Sequence, residues 1–197
     1  MRVIAGTLRR RTLEAPPGMA TRPTSDRLRE TLFNALAPRI EGARFLDLYA
    51  GSGAVGIEAA SRGAERVVVV ERAAGALKVL RANLEKLGLG GAVRVEAVSV
   101  VAFLKRVRPE SAGFAFDIVF MDPPYDVADE YETALGLLGG EASRLLAQDA
   151  LVIAEHRRKE KLEERYGGLE RMRVLEQGDA ALSFYKSAVR SQLSAGG

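Results

Sequence analysis

The sequence contains no cysteine, no tryptophan and a single histidine among its 197 residues. Without cysteine, disulfides and thiolate metal sites are excluded. With His156 as the only imidazole, neither a histidine-based metal centre nor a Ser-His-Asp triad is expected, so we predict no bound metal. No apolar run approaches the roughly 20 residues that span a bilayer, and no signal peptide is visible at the N-terminus. These absences predict a cytoplasmic protein.

Arginine is concentrated near the N-terminus, although the net charge of the whole chain is only +3. Few acidic side chains oppose these arginines in residues 1–30, and the planar guanidinium suits bidentate phosphate contacts. The distribution therefore predicts a basic extension that binds nucleic acid. Its candidate contacts are Arg2, Arg9, Arg10, Arg11, Arg22, Arg27 and Arg29.

Residues 1–40 are predicted to form that extension. Val3–Gly6 and Arg11–Leu13 can pair as a short hairpin, and Thr24–Asp26 offer N-cap groups for an amphipathic helix that stops before Pro38. From residue 41 to residue 188, strands and helices alternate. This alternation predicts an α/β fold class: a doubly wound, Rossmann-like and mostly parallel sheet with an antiparallel hairpin at its C-terminal end. Residues 189–197 are expected to be a frayed tail.

Hydrophobic periodicity places the individual elements of the second region. The predicted strands cover 45–49, 66–70, 93–97, 116–121, 150–154, 171–176 and 181–186, and the predicted helices cover 54–61, 73–87, 101–107, 131–138 and 159–166.

A glycine-rich loop follows the first of these strands, within Asp47–Gly56. Gly51 and Gly53 remove Cβ atoms where the backbone turns tightly and touches a ligand, and Glu71, after the second strand, can accept hydrogen bonds from ribose hydroxyls. The spacing matches the dinucleotide fingerprint, so NAD is one candidate. Asp47 favours S-adenosylmethionine, because a carboxylate repels a pyrophosphate and attracts the ammonium group of an amino-acid-bearing cofactor.

Asp122-Pro123-Pro124-Tyr125 follows the apolar strand Phe116–Met121. Two prolines cannot continue a strand, so the chain leaves the sheet stiffly here. An acceptor and an aromatic ring then stand at a fixed separation near a strand end, where open α/β sheets bind ligands. A flat, nitrogen-bearing substrate such as a nucleobase suits this arrangement.

Taken together, these stretches resemble the class I S-adenosylmethionine-dependent methyltransferases. More narrowly, they resemble the bacterial 16S rRNA guanine-N2 methyltransferases of the RsmD type. The resemblance is carried by residues 2–6, 22–34, 47–59, 61–64, 122–125 and 178–182, with Glu71 and Asn83. The stretch from Arg22 to Asn34 is the most specific of these, and the glycine loop is the least specific.

The resemblance implies methyl transfer from S-adenosylmethionine to the exocyclic N2 amine of a guanine in small-subunit ribosomal RNA. It implies that this RNA is bound within the small subunit or an assembly intermediate, by a monomeric enzyme. Arg22, Pro23 and Thr24 would clamp the substrate. Ser99 stands where related enzymes carry an acidic contact to adenine. The implied catalytic set is Asp122, Pro123, Pro124 and Tyr125, and the implied cofactor contacts are Asp47, Tyr49, Ala50, Gly51, Ser52, Gly53, Glu71, Arg72, Ser99 and Asp122.

Three alternatives stay open at the level of sequence. A DNA adenine-N6 or protein-glutamine methyltransferase carries a similar Asp-Pro-Pro-Tyr, although no segment resembles a DNA target-recognition region. A nicotinamide-dependent oxidoreductase would use the glycine loop and Glu71, and would leave Asp122–Tyr125 without a role. A non-catalytic RNA-binding protein could retain the fold, although the intact loop and Asp122 argue against it.

Overall fold

The computed structural model describes residues 1–15, 26–106, 115–124 and 129–187. The chain divides into two compact units, Met1–Val100 and Val101–Gly197. Among the described residues, no helix is both long enough and apolar enough to cross a membrane.

The first unit alternates helices with a parallel sheet, as the sequence predicts. Its strands are β1 (Arg44–Leu48), β2 (Arg66–Val70) and β3 (Val93–Glu96), in the order β3-β2-β1. Its helices are α1 (Asp26–Leu36), α2 (Ala54–Ser61) and α3 (Ala74–Lys86). The four valines of β2 are all buried, because a strand covered on both faces by helices has no solvent-facing side.

Helix α1 buries one face, formed by Leu28, Leu32, Phe33 and Leu36. The ring of Phe33 stacks on that of Phe45 in β1, with centroids 6.2 Å apart. The apolar residues recur at helical spacing, and Pro38 follows two positions after the last helical residue, where it disfavours continuation. The predicted helix is therefore confirmed, although its predicted caps at 24 and 25 lie outside the described residues.

The N-terminal segment, residues 1–15, folds back on itself through one antiparallel bridge between Arg2 and Thr12. The amide of Val3 donates to the Arg11 carbonyl at 2.9 Å. The predicted pairing is thus confirmed as a single bridge between the two arms. Gly6 has a φ of +82°, and a Cβ there would lie 1.8 Å from the Ser61 carbonyl oxygen. This glycine lets the turn press against the end of α2.

The second unit contains a mixed sheet and the C-terminal hairpin. It consists of α4 (Val100–Arg106), β4 (Phe116–Met121), α5 (Asp129–Gly139), a 3-10 turn (Ser143–Leu145), β5 (Leu146–Arg157), β6 (Arg165–Tyr166), β7 (Leu169–Gln177) and β8 (Ala180–Ser187). Strand β4 pairs parallel with β5, and β5-β8-β7-β6 pair antiparallel. The predicted antiparallel hairpin is confirmed as β7 and β8.

The predicted helix over 159–166 is wrong. Leu162 and Tyr166 are both buried, which suits a helical face, but the backbone there bonds to distant partners. The Leu162 carbonyl accepts from Arg171 Nη1 at 2.8 Å, and the Glu163 carbonyl accepts from the Tyr185 hydroxyl at 2.9 Å. These tertiary hydrogen bonds replace the helical ladder, and the segment ends in the short strand β6 instead.

Candidate active site

The glycine-rich loop links β1 to α2 through left-handed backbone. Tyr49, Gly51 and Gly53 have φ angles of 68°, 56° and 83°. A positive φ is unusual for a tyrosine, and such strained positions cluster at ligand sites. A Cβ at Gly53 would lie 2.3 Å from Leu80 Cδ1, whereas a Cβ at Gly51 would meet nothing within 4 Å. Gly53 is therefore required by packing, and Gly51 leaves space at the loop surface.

Asp47 is buried near the end of β1 and anchors the helix that follows the loop. Its Oδ2 accepts a hydrogen bond from the Gly56 amide at 2.9 Å. Burial raises the pKa of Asp47 from 3.8 to about 7; the Gly56 hydrogen bond opposes that rise and the charge of Glu71 adds to it. Because the folded-state pKa exceeds the unfolded value, the contribution of Asp47 to stability is fully present below about pH 4 and declines as the pH rises to about 7.

Glu71 follows β2, and its carboxylate is bonded to the glycine loop. Its Oε2 accepts from the Gly51 amide at 2.9 Å, and its Oε1 accepts from the amides of Arg72 and Ala73 at 2.8 and 2.7 Å. A carboxylate offers about four lone-pair positions, so acceptor capacity remains beside these three bonds. Glu71, predicted as a ribose contact, is thus bonded directly to the glycine loop through the Gly51 amide.

Three further predicted contacts occupy the same unit. Ala50 is buried, and its amide donates to the Val70 carbonyl at 2.9 Å. Arg72 is exposed, and Ser99 is half-buried in the short link between β3 and α4. Together with the bonds from Gly51 to Glu71 and from Gly56 to Asp47, these positions place Asp47, the glycine loop and Glu71 next to one another.

Asn83 is fully buried on α3 and contacts both the loop and the N-terminal segment. Its Nδ2 donates to the Ser52 carbonyl at 3.0 Å and to the Glu14 carbonyl at 3.1 Å, and its Oδ1 accepts from the Glu14 amide at 2.8 Å. The family resemblance includes Asn83 without assigning it a role.

Asp122, Pro123 and Pro124 lie in the second unit, immediately after β4. All four residues from Ile118 to Met121 are buried, and the extended conformation ends at Met121. Pro123 is buried and Pro124 is exposed, while Asp122 is half-buried. The two prolines end the strand as predicted. Tyr125 lies outside the described residues.

Most of the predicted RNA-contacting arginines are exposed. Arg9, Arg10 and Arg11 lie on the turn between the two paired arms of the N-terminal segment, and Arg2 and Arg27 are exposed near the start of α1. The turn is fixed to α2, because the Thr7 amide donates to the Ser61 carbonyl at 2.8 Å. Arg22 lies outside the described residues.

Arg29 is an exception, and its prediction as a surface phosphate contact is wrong. Its side chain is fully buried, and its Nη2 donates to the Arg2 carbonyl and to Asp26 Oδ1. Its Nε lies 3.8 Å from Glu58 Oε2. Burial lowers the pKa of Arg29, and the charges of Glu58 and Asp26 oppose that change. Arg29 therefore ties α1 to the N-terminal segment rather than facing solvent.

Glu58 supports the site structurally, although the sequence does not predict it. It is fully buried in α2, and its oxygens accept from the amides of Ile4 and Ala5 at 2.8 and 3.0 Å and from Arg62 Nε at 2.7 Å. Its sequence signal is the single charge within the otherwise apolar and small residues of α2. Glu58 holds the basic segment to the helix that begins at the glycine loop.

The chain is similar to proteins of known family and to solved structures. A family model described as "Conserved hypothetical protein 95" matches residues 1–186. "Putative rRNA methyltransferase YlbH" of Bacillus subtilis is 36% identical over 186 residues, covering 94% of this chain and 98% of the relative. "Ribosomal RNA small subunit methyltransferase D" of Escherichia coli is 41% identical over 155 residues, covering 79% of this chain and 74% of the relative. A structure of "Putative methyltransferase yhhF from Escherichia coli" has a TM-score of 0.81 at 34% identity, covering 95% and 97% of the two chains.

Proposed function

This chain belongs to the family described as "Conserved hypothetical protein 95", and from that premise we propose that it methylates the exocyclic N2 amine of a guanine in small-subunit ribosomal RNA. The fold of the chain is that of the Rossmann-like methyltransferases, and the methyl donor is S-adenosylmethionine. The single observation that carries the proposal for this chain's own residues is the joined arrangement of Asp47, the glycine loop and Glu71.

The electrostatics of that arrangement suit a cationic cofactor. Asp47 and Glu71 are close enough for the charge of Glu71 to raise the pKa of Asp47. The charge of Glu71 and of the ionised fraction of Asp47 repels an added pyrophosphate and attracts a positive group, and a bound cation in turn favours ionised Asp47. S-adenosylmethionine carries an ammonium and a sulfonium and no phosphate, whereas NAD carries a pyrophosphate. The pair therefore favours the former, and the space beside Gly51 gives the cofactor access to loop backbone.

Specific residues would hold the cofactor within this arrangement. Glu71 retains acceptor capacity for the ribose hydroxyls. Asp47 would attract the ammonium, and Gly51 allows close approach to the loop. When bound, S-adenosylmethionine supplies an electrophilic methyl group on its sulfonium. The roles of Tyr49, Ser52, Arg72 and Ser99 follow from the same assignment.

The Asp122 turn would serve the amine. An aryl amine is a weak nucleophile because its lone pair is delocalised into the ring. Acceptors at Asp122 and at the Pro123 carbonyl can bond both amine hydrogens, which orients the nitrogen and favours its pyramidal form. The Asp122 carboxylate also stabilises positive charge that develops on the nitrogen. In the sequence, Tyr125 adds a ring on which an unstacked base can lie.

Ribosomal RNA as the substrate is supported by the exposed arginines of the N-terminal segment. Arg9, Arg10 and Arg11 stand on a turn that backbone hydrogen bonds and Glu58 hold in place. Because the backbone of the turn is held, binding of these guanidinium groups to phosphates does not have to order the backbone as well. We propose that the protein acts as a monomer in the cytoplasm, on the small subunit or an assembly intermediate.

A methyl-transfer assay tests the proposal. The protein is incubated with tritiated S-adenosylmethionine and, separately, with unmodified small subunits, naked small-subunit RNA, DNA or protein, and the products are digested to nucleosides or amino acids. Label in N2-methylguanosine is the expected result. Label in N6-methyladenine or methylglutamine instead would reassign the substrate, and the absence of any label would overturn the proposal.

A further inference from the structure

The N-terminal segment and the cofactor loop share a single buried side chain. Asn83 uses both faces of its amide on the Glu14 backbone, accepting from the amide at 2.8 Å and donating to the carbonyl at 3.1 Å. The second hydrogen of the same Nδ2 is donated to the Ser52 carbonyl at 3.0 Å. Every polar atom of this amide is therefore engaged, because an asparagine offers two donor hydrogens and one acceptor oxygen.

The two partners of Asn83 lie in the two regions that the proposed function assigns to ligands, the glycine loop for the cofactor and the basic segment for RNA. Ser52 stands between Gly51 and Gly53, in the loop whose left-handed backbone faces the proposed cofactor. Glu14 follows Leu13, whose amide closes the paired arms on the Met1 carbonyl at 3.0 Å. Those arms carry the exposed arginines 9–11. Asn83 thus connects the cofactor loop to the arginine-bearing segment through two hydrogen-bonded peptide units.

The connection is short, and the bond to Ser52 is buried, whereas Glu14 at the other end is exposed. Asn83 is fully buried, and the neighbouring Leu84 exposes only 4% of its surface. Loss of the Ser52 bond would leave a buried peptide carbonyl without its side-chain donor, which is unfavourable. A shift of the loop that keeps the Ser52 bond must therefore move the Asn83 side-chain amide. That movement either shifts Glu14 as well or breaks the bonds between Asn83 and Glu14.

We propose that Asn83 is a positioning residue that couples cofactor binding to RNA binding. This rests on the proposed function of the glycine loop and of the basic segment. Ordering of the loop by the cofactor fixes the Asn83 amide, which in turn fixes the segment that presents the arginines to RNA phosphates. Thermodynamic linkage requires the reverse effect to be equal, so bound RNA tightens the cofactor by the same factor.

The test measures that coupling factor. Affinity for unmodified small-subunit RNA is determined with and without saturating S-adenosylhomocysteine, and affinity for S-adenosylhomocysteine is determined with and without the RNA. In the unaltered protein, each ligand is expected to tighten the other by at least about five-fold. In Asn83→Ala and Asn83→Asp, the factor is expected to fall to about one, because both variants lack the Nδ2 donor to Ser52.

A matched control lies on the same helix. Glu85→Ala changes an exposed side chain two positions along α3, and it is expected to keep the coupling factor of the unaltered protein. Asn83→Asp retains the acceptor for the Glu14 amide and loses the donors to Ser52 and to the Glu14 carbonyl, whereas Asn83→Ala loses all three bonds. A role confined to folding would lower the melting temperature of the Asn83 variants and leave the coupling factor intact.

A second measurement needs no substitution. Hydrogen exchange at the Glu14 amide, which is bonded to Asn83 Oδ1, is expected to slow by at least about five-fold when S-adenosylhomocysteine is added. Unchanged exchange, or full coupling in folded Asn83 variants, would overturn the inference. Normal methylation of RNA with a coupling factor of one would overturn only the inference, whereas no cofactor binding at all would overturn the proposed function as well.

Discussion

Replacing Gly51 with alanine should damage cofactor binding more than it damages the fold. In the structure, a Cβ at this position meets nothing within 4 Å, although the φ of +56° is costly for any residue with a side chain. That backbone strain costs about 1–2 kcal/mol. The added methyl group occupies the space that the cofactor is proposed to fill against the loop.

The magnitudes follow from the two separate costs. Strain alone lowers the melting temperature of the apo protein by about 2–8 °C for a chain of this size. In the complex, overpacking against a bound ligand costs about 1–3 kcal/mol more. The affinity for S-adenosylhomocysteine should therefore fall by about 5- to 150-fold.

Gly53→Ala provides the matched comparison. It has a φ of +83°, and its Cβ would lie 2.3 Å from Leu80 Cδ1, which is fully buried. Overpacking then falls on the apo protein, so about 1–3 kcal/mol is added to the strain in the stability measurement. Calorimetric titration with S-adenosylhomocysteine and thermal unfolding distinguish the two variants. If Gly51→Ala binds the ligand as tightly as the unaltered protein, the space beside Gly51 does not hold the cofactor.

Three further predictions address the charges around the site. The free energy of unfolding of the unaltered protein should decrease as the pH rises from about 4 to about 7, because the folded-state pKa of Asp47 is raised to about 7. Asp47→Asn should not show this decrease, which denaturant unfolding across that pH range measures. Parallel pH profiles of the two proteins would contradict the prediction. Glu58→Gln should destabilise the fold by about 3–5 kcal/mol, since it leaves the buried Arg29 charge with less compensation; the exposed Glu65→Gln is the control in thermal unfolding, and equal shifts would refute the assigned role. Joint replacement of arginines 9–11 by alanine should weaken RNA binding and leave the melting temperature unchanged. The slope of the logarithm of the binding constant against the logarithm of the salt concentration should become shallower by about 0.7–0.9 for each phosphate that is no longer neutralised. An unaltered slope in filter binding would exclude these arginines from the RNA interface.

The regular elements could be predicted because their signals are local. The bounds of α2, β2 and β4 agree with those expected from the sequence, since buried parallel strands read as continuous apolar runs between glycine-rich turns. The helix predicted over 159–166 is wrong because the hydrogen bonds of this segment are not local. Its apolar spacing suits a helix, but its carbonyls accept from Arg171 and Tyr185, which follow later in the chain.

That Asp47, the glycine loop and Glu71 belong to one site could likewise be predicted, because they lie near the ends of neighbouring parallel strands. The supports of the site could not. Glu58 meets Ile4 across 54 residues and Asn83 meets Glu14 across 69, and no local pattern encodes such pairs. The prediction for Arg29 is wrong because an arginine usually lies at the surface, whereas here its Nη2 donates to Arg2 and Asp26 and its Nε lies 3.8 Å from Glu58.

The most direct test of the account compares the unaltered protein with Asp122→Asn in a single turnover. Protein preloaded with tritiated S-adenosylmethionine is mixed with unmodified small subunits, and the label in N2-methylguanosine is followed over time. We predict that the variant binds S-adenosylhomocysteine measurably and transfers the methyl group about 10²–10³-fold more slowly, since it loses the carboxylate that we propose orients and stabilises the reacting amine. Transfer at the unaltered rate by Asp122→Asn, or label in any other nucleoside, would contradict the account.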